Sequence, residues 1–277
     1  MGWLSSIESP ALTRVLIRIW LLFSRDLDLT EAQASEFSSL QACFTRKLRP
    51  GARAIDQREG ILVSPCDGIV GEHGDIDGTK VFQAKGFPYY LEDLIPDHDL
   101  RETYRDGKYI TLRLTSSMYH RFHAPMQCIA SQVIYISGDT WNVNPIALKR
   151  VEKLYCKNER AVLSLSTADP SSSICLVAVA AILVASVKFT WLDNPLDIRY
   201  KGPKKIACSA AFEKGEELGY FQHGSTIILF ATTDFEFVDG LKTGETIQMG
   251  RPLLAMHVHE SEVSNRNEPQ KVNEVTA

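Results

Sequence analysis

The sequence predicts an α+β protein in which helices come first and a β-rich body follows. Two patterns support this prediction. Residues 11–23 form an apolar run with regularly spaced arginines, whereas β-branched or alternating runs dominate after Pro50 and Gly51. The chain has 277 residues, which is enough for one large or two modest domains with a sizeable buried core.

The first predicted helix is the stretch ALTRVLIRIWLLF, residues 11–23. On a helix Arg14, Arg18 and Arg25 fall at positions i, i+4 and i+11, and form one cationic stripe. The apolar side chains face away from that stripe: Leu12, Leu16, Ile19, Trp20 and Phe23. This pattern is typical of a helix lying in a membrane surface, and packing on the protein's own core is the alternative. The run is too short to span a bilayer, and no small-residue cleavage site follows it.

A second helix is predicted from Thr30, which forms a capping-box pattern with Gln33, through Phe44. Pro50 and Gly51 end the helical part of the chain. We therefore expect three regions: N-terminal membrane-facing helices at 1–50, a β-rich catalytic body at 51–257 and a loose polar tail at 258–277.

Apolar runs predict the strands of the body, because they are rich in β-branched residues and separated by Gly, Pro, Asn and Asp. The runs are 108–114, 128–137, 160–166, 174–191 and 225–232. The longest, 174–191, is interrupted by Lys188 and is too short to cross a membrane.

Charge and cysteine content exclude two classes of protein. The formal net charge is -4 and no Lys/Arg-rich tract is present, so we expect no nucleic-acid partner. The cysteines stand alone without a C-x-x-C pair, which argues against a disulfide scaffold and a structural zinc site. We interpret them as reduced thiols.

Two short motifs carry candidate proton-transfer residues. In SPCDG, residues 64–68, Asp67 is typical of ordinary turn chemistry. In MYHRFHAP, residues 118–125, His120 and His123 are three apart and would share a face of a helical turn. Imidazoles titrate near neutral pH and therefore suit acid–base chemistry. A zinc site would need a third ligand in recognisable spacing, and we expect no metal.

A third motif, HGST, enters the apolar run at 225–232 through Gly224 and Ser225. It is either an ordinary turn or a peptide bond arranged to react with its neighbour. The order Asp67, His123, Ser225 matches one order of hydrolase triads, but Ile227 breaks the G-x-S-x-G pattern. A serine hydrolase acting on external esters is therefore the alternative enzyme, and a non-catalytic peripheral membrane protein is the alternative outside enzymes.

Six motifs, taken in order, resemble the bacterial pyruvoyl-dependent phosphatidylserine decarboxylase family. They are SPCDG, AKGFPYYLEDL (84–94), YHRFHAP, GDTWNVNP (138–145), KNERAVL (157–163) and HGST. The resemblance runs from FTRKLRPGAR (44–53) to the glycine-rich segment at 244–254, which is most of the chain.

The resemblance implies that the Gly224–Ser225 bond cuts itself, giving chains 1–224 and 225–277 that stay paired. In this scheme Asp67 orients His123, and His123 takes the proton of Ser225. Ser225 then becomes a pyruvoyl group, the covalent cofactor and Schiff-base site, which acts as an electron sink. His120 is implied to assist decarboxylation or protonate the product. Phosphatidylserine would become phosphatidylethanolamine, with release of carbon dioxide.

The resemblance also implies a place at the membrane, because the acyl chains of the substrate stay in the bilayer. We expect a peripheral protein on the cytoplasmic face of the inner membrane, with lipid contacts from Arg14, Arg18, Trp20 and Arg25. A homodimer is a further expectation from the family. This chain carries His223 before the scissile bond, where an apolar residue is usual in the family.

Overall fold

The computed structural model describes residues 5–24, 26–84, 87–181, 186–222 and 225–257. The helices are α1 (Pro10–Phe23), α2 (Leu40–Phe44), α3 (Leu91–Leu94), α4 (His98–Thr103), α5 (Pro145–Leu148) and α6 (Leu154–Lys157). The first seven strands are β1 (Ile61–Val63), β2 (Gly68–Asp75), β3 (Lys80–Ala84), β4 (Phe87–Tyr90), β5 (Lys108–Leu114), β6 (Arg121–His123) and β7 (Cys128–Ile136). The later strands are β8 (Arg160–Ser166), β9 (Ser173–Ala180), β10 (Ser186–Phe189), β11 (Leu196–Asp197), β12 (Lys205–Phe212), β13 (Glu217–Phe221), β14 (Ser225–Ala231), β15 (Phe235–Phe237), β16 (Thr246–Ile247) and β17 (Pro252–Met256). The predicted α+β class is confirmed.

The body is organised around one antiparallel sheet of eight strands, in the order β12-β7-β8-β9-β14-β5-β2-β16. Strand β14 lies inside this sheet and pairs along its whole length with both β9 and β5. Every residue of β14 is buried. Both of its faces are therefore covered, which explains why its sequence is a continuous apolar run instead of an alternating one.

Different layers cover the two faces of the large sheet. One face packs against the four-stranded sheet β11-β10-β13-β6 and the three-stranded sheet β1-β17-β15. The other face packs against the β3–β4 hairpin and the short helices α3, α5 and α6. Burying a large apolar side chain stabilises a fold by about 1.5–3 kcal/mol, so these two core clusters hold the three layers together.

The run at 174–191 departs from the prediction of a single strand. Its first part is β9 in the large sheet, and its last part is β10 in the four-stranded sheet. The chain thus changes layers within this run, and residues 182–185 lie outside the described residues. Hydrophobicity alone predicted burial correctly here, but it could not indicate which sheet each half joins.

The second predicted helix is much shorter than expected. Helix α2 covers only Leu40–Phe44, and its N-cap is Ser39, whose hydroxyl accepts a hydrogen bond from the amide of Ala42. Thr30 does not cap a helix, because its amide and hydroxyl both donate to the Asp28 carboxylate, at 2.8 and 2.6 Å. That local Asp turn competes successfully with helix formation.

Helix α1 presents two different sides. Leu16, Ile17 and Trp20 are half-buried, and Thr13 is buried. Exposed apolar residues at helical spacing form a second side, which we call the exposed apolar stripe: Leu12, Val15, Ile19, Leu22 and Phe23. The predicted single apolar face is wrong in this respect, since Leu16 and Trp20 turn towards the protein. Within the described ranges, no helix is long and apolar enough to cross a membrane.

Candidate active site

Ser225 begins strand β14 in the interior of the large sheet. It pairs with Leu114 of β5 and Ala180 of β9. Its side chain is fully buried, and among the described residues its hydroxyl has no hydrogen-bond partner. A buried polar group without a partner destabilises the fold by about 1–3 kcal/mol. The hydroxyl of Ser225 is therefore not used in a structural hydrogen bond and is available as a nucleophile.

A cavity of about 350 Å³ opens beside Ser225. Its walls come from α2, the end of β5 and the segment before α5, and include Phe44, Arg113, Leu114, Asn142, Asn144 and Ser225. None of the described lining residues is acidic. The cavity is large enough for a small polar headgroup next to the serine.

His120 lies in the loop that leads into β6 and is completely buried. Its ring stacks on Phe44, with centroids 3.8 Å apart, and its Nδ1 lies 2.9 Å from the carbonyl oxygen of Met118. The carbonyl of His120 accepts a hydrogen bond from the amide of Phe221 at 2.9 Å. His120 is therefore joined to the cavity wall through Phe44, and to the chain four residues before Ser225.

His123 ends β6 and is held at both ring nitrogens. Nδ1 lies 2.9 Å from the carbonyl oxygen of Gly215, and Nε2 lies 3.0 Å from the hydroxyl of Tyr119. Since a carbonyl can only accept, Nδ1 carries the proton, and in the neutral ring Nε2 accepts from Tyr119. Burial lowers the pKa of His123, although the Gly215 hydrogen bond and the charge of Glu217 oppose this shift. The ring is thus a neutral base.

Asp67 is tied to Arg53. The guanidinium donates from Nε to Oδ1 at 2.9 Å and from Nη2 to Oδ2 at 2.6 Å. The amide of Met249 also donates to Oδ1, at 2.9 Å. Arg53 in turn pairs with Glu31 at 2.7 Å. Burial lowers the pKa of Arg53, but the hydrogen bonds that Arg53 donates to Asp67 and Glu31 outweigh it, and the pKa lies above its usual value.

The predicted Asp67–His123–Ser225 relay is not hydrogen-bonded in this structure. In the described part of the chain, no hydrogen bond joins any two of these side chains. The reason is competition: Arg53 offers Asp67 a charge-assisted bidentate partner, and Gly215 and Tyr119 occupy His123. The Asp67 loop and His123 are nevertheless adjacent, because the amide of His123 donates to the carbonyl of Pro65 at 2.7 Å.

The structure describes some of the remaining predicted site residues and not others. Gly224, the first half of the predicted cleavage site, lies outside the described residues, as does Arg25. Arg14 and Arg18 are exposed on α1, whereas Trp20 is half-buried and lines a small apolar cavity with Phe44. In the described ranges, no group of three or more His, Cys, Asp or Glu residues could hold a metal ion.

Sequence reasoning missed four residues around the site: Phe44, Arg53, Arg113 and Tyr119. Phe44 and Arg53 frame the segment FTRKLRPGAR, which marked only the start of the family resemblance. Tyr119 directly precedes His120, so its position beside the histidine pair was a usable signal. No local sequence pattern could have identified Arg113, because its proximity to Ser225 depends on the pairing of β5 with β14.

A buried acid lies in the same row of the large sheet as Ser225. The amide of Ala180 donates to the carbonyl of Glu159 at 2.9 Å, and Ala180 pairs with Ser225. Glu159 is 1 % exposed, and its Oε1 accepts from the hydroxyl of Tyr135 at 2.7 Å. Its Oε2 has no hydrogen-bond partner among the described residues. Burial raises the pKa of Glu159 to about 7.

Comparison with known proteins gives one consistent result. A sequence model of the phosphatidylserine decarboxylase family matches residues 40–255. A phosphatidylserine decarboxylase proenzyme of Brevibacillus brevis is 33% identical over 255 residues, which is 90% of this chain and 91% of the relative. The proteins with the same name from Shewanella frigidimarina and Marinobacter nauticus are 33% and 35% identical, and cover 92% and 82% of this chain and of their own lengths. The matched range includes every site residue described above except those of the segment before residue 40.

Proposed function

The chain belongs to the phosphatidylserine decarboxylase family, and from that premise we propose that it cuts itself between Gly224 and Ser225 and then converts phosphatidylserine to phosphatidylethanolamine with release of carbon dioxide. The single observation that carries this proposal is the Ser225 hydroxyl. It is fully buried, has no partner among the described residues and borders a cavity at the start of an interior strand.

Self-cleavage requires the Ser225 oxygen to attack the carbonyl carbon of Gly224. The new C–O bond replaces the C–N bond, the hydroxyl proton passes to a base and from the base to the departing nitrogen, and the amide becomes an ester with a free amine on residue 225. Removal of the Cα proton of residue 225 then expels the Gly224 carboxylate. Water replaces the nitrogen, which leaves as ammonia, and a pyruvoyl group remains. Self-processing thus consumes a nucleophile and a base once.

His123 is our proposed base, because it is neutral and its Nε2 carries the free electron pair. In the uncut chain Tyr119 donates to that nitrogen at 3.0 Å. The Tyr119 hydroxyl therefore either relays the serine proton or moves aside. Asp67 supplies negative charge near the ring from its fixed position against Arg53. Its proposed role is electrostatic support of the imidazolium, without a direct hydrogen bond.

The residues around Ser225 fit a small covalent carbonyl cofactor at this position. The Ser225 hydroxyl is a buried polar atom without a partner among the described residues, and the apolar side chains of Phe44 and Leu114 line the cavity beside it. A pyruvoyl group there supplies the electron-accepting ketone that decarboxylation of an amino acid requires. We assign to His120 the transfer of a proton at the substrate carbon that loses carbon dioxide, because its ring lies against the Phe44 wall.

The lipid substrate supports a membrane-facing role for α1. Its exposed apolar stripe runs beside Arg14 and Arg18, which are also exposed. An apolar stripe flanked by cations favours the interface of an anionic membrane. We place the protein peripherally on the cytoplasmic face of the inner membrane, where Trp20 contributes packing against the body. Continued pairing of the two cut chains and a homodimer belong to the same proposal.

Intact mass under denaturing conditions tests the proposal. The purified protein should give two chains, 1–224 and 225–277, the smaller without a free amino terminus. Ser225→Ala should remain one chain and release no carbon dioxide from phosphatidylserine. Ser186→Ala is the matched control, because Ser186 is another buried serine whose hydroxyl has no partner among the described residues. It should still cut itself. An active, uncut chain that labels with a fluorophosphonate at Ser225 would instead indicate a serine hydrolase.

A further inference from the structure

Arg113 is unusual among the arginines that are at least half-buried. Others of this group donate hydrogen bonds to carboxylates or backbone carbonyls: Arg46, Arg53, Arg101, Arg121 and Arg160. Arg113 is half-buried as well, yet within the described ranges it makes no hydrogen bond and no ion pair. Its guanidinium is therefore free to bind an anion.

The shared cavity would bring an anion bound by Arg113 close to the reactive residue. Arg113 pairs with Thr226, and the next residue along β5, Leu114, pairs with Ser225. Successive side chains of a strand point to opposite faces of the sheet, so the Arg113 side chain shares a face with Thr226, and Ser225 shares the other face with Leu114. Both residues nevertheless line the cavity of about 350 Å³, at the end of β5 and the start of β14. A molecule bound in this cavity can contact both of them.

Two amide side chains of the segment before α5 also line the cavity and add further donors. Oδ1 of Asn142 accepts from the amide of Asn144 at 2.9 Å, and Oδ1 of Asn144 accepts from the amide of Ala147 at 2.8 Å. These bonds fix which end of each side chain is oxygen. The NH₂ groups of both asparagines are left without a hydrogen bond among the described residues. The cavity thus combines a guanidinium with amide donors, and none of its described walls is acidic.

The chemistry of the proposed reaction decides which anion belongs here. Phosphatidylserine carries a carboxylate and a phosphodiester. An arginine on the carboxylate would stabilise the ground state, whose charge is lost when carbon dioxide leaves, and would therefore slow the reaction. A phosphodiester keeps its charge throughout, so binding it costs nothing in the chemical step. Its oxygens also match the planar fork of a guanidinium.

We propose that Arg113, together with the amides of Asn142 and Asn144, forms the subsite that holds the phosphodiester of the substrate headgroup. This inference rests on the proposed function, because it assigns the substrate's anchor in the same cavity. Arg113 binds and orients the substrate headgroup, whereas residue 225 and His120 act at the reacting carbon.

A kinetic experiment tests the subsite in the matured enzyme. Arg113→Gln and Arg113→Lys are compared with Arg105→Gln, which removes the same charge from an exposed arginine paired with Glu102. With short-chain phosphatidylserine in neutral detergent micelles, Arg113→Gln should raise KM on the order of 10- to 100-fold and change kcat little. Arg113→Lys should recover part of the affinity, and Arg105→Gln should match the wild type. An unchanged KM, or a loss confined to kcat, would overturn the proposal.

A binding experiment needs no cutting and no turnover. In the Ser225→Ala background the uncut chain should bind glycerophosphoserine, measured by calorimetry, and the added Arg113→Gln change should abolish this binding. Inorganic phosphate should bind more weakly, because it lacks the serine part of the headgroup. Equal binding of both probes would show a simple anion site and overturn the headgroup assignment. If wild-type protein stays uncut, the proposed function fails while this measurement still decides the subsite.

Discussion

Glu159→Gln should change how stability depends on pH. Glu159 is 1 % exposed, and burial raises its pKa from 4.5 to about 7. Between those two values the folded chain binds a proton that the unfolded chain has released. Stability therefore falls as pH rises through this window and levels off above pH 7. Glutamine keeps an oxygen for the Tyr135 hydroxyl but carries no charge, so the variant lacks this loss.

The size of the effect follows from the two pKa values. Each pKa unit corresponds to about 1.4 kcal/mol, and the part of the window between pH 5 and pH 8 corresponds to about 2–3 kcal/mol. For a chain of this size, 1 kcal/mol moves the melting temperature by about 2–4 °C. The difference in melting temperature between Glu159→Gln and its parent should therefore grow by roughly 5–10 °C from pH 5 to pH 8, in favour of the variant.

The assay is thermal unfolding followed by circular dichroism at both pH values, in the Ser225→Ala background so that one chain unfolds. All other titrating groups are common to variant and parent, and their contributions cancel. Glu152→Gln, a change at an exposed carboxylate, is the control and should show no such growth. Parallel pH profiles for Glu159→Gln and its parent would refute the reasoning, because they would mean that the carboxyl is ionised and solvated in the folded chain.

Three further changes test other parts of the structure. Gly107→Ala should destabilise the protein by about 1–3 kcal/mol in chemical unfolding, because a Cβ there would lie 2.2 Å from a carbonyl oxygen of β14; wild-type stability would contradict this close approach. Leu22→Asp with Phe23→Asp should reduce sedimentation with phosphatidylserine vesicles at least tenfold without changing the melting temperature, since these side chains are 76% and 84% exposed, and unchanged sedimentation would exclude the stripe as a membrane contact. Arg53→Met should destabilise the uncut chain by about 3–5 kcal/mol, because it leaves a buried carboxylate without its cation, and a melting temperature equal to that of wild type would argue against a buried pair.

The strands were predictable because the signal is local. The runs at 108–114, 160–166 and 225–232 correspond to β5, β8 and β14 within a residue, since a buried strand needs only consecutive apolar side chains. The predicted helix start at Thr30 was wrong, because the amide and hydroxyl of Thr30 both donate to the Asp28 carboxylate. The proposed capping box matched in sequence but not in structure.

The sequence motifs supplied candidate site residues but not their geometry. Ser225 begins the interior strand, and the carbonyl of His120 accepts from the amide of Phe221, four residues before it. The partner of Asp67 could not be predicted, because Arg53 reaches it from a separate loop 14 residues earlier. Ion pairs between loops depend on the tertiary fold, and single-sequence patterns carry no information about them.

The position of β14 has a consequence for the mature enzyme. A cut before Ser225 would separate a fragment that contributes two strands of the large sheet, interior β14 and edge β16, and two strands of a smaller sheet, β15 and β17. The fragment then leaves only if the sheet is torn open along both neighbours of β14. Renaturation would become a second-order reaction whose rate depends on protein concentration, whereas the precursor refolds in a first-order process. Maturation would thus change refolding from the folding of one chain into the association of two.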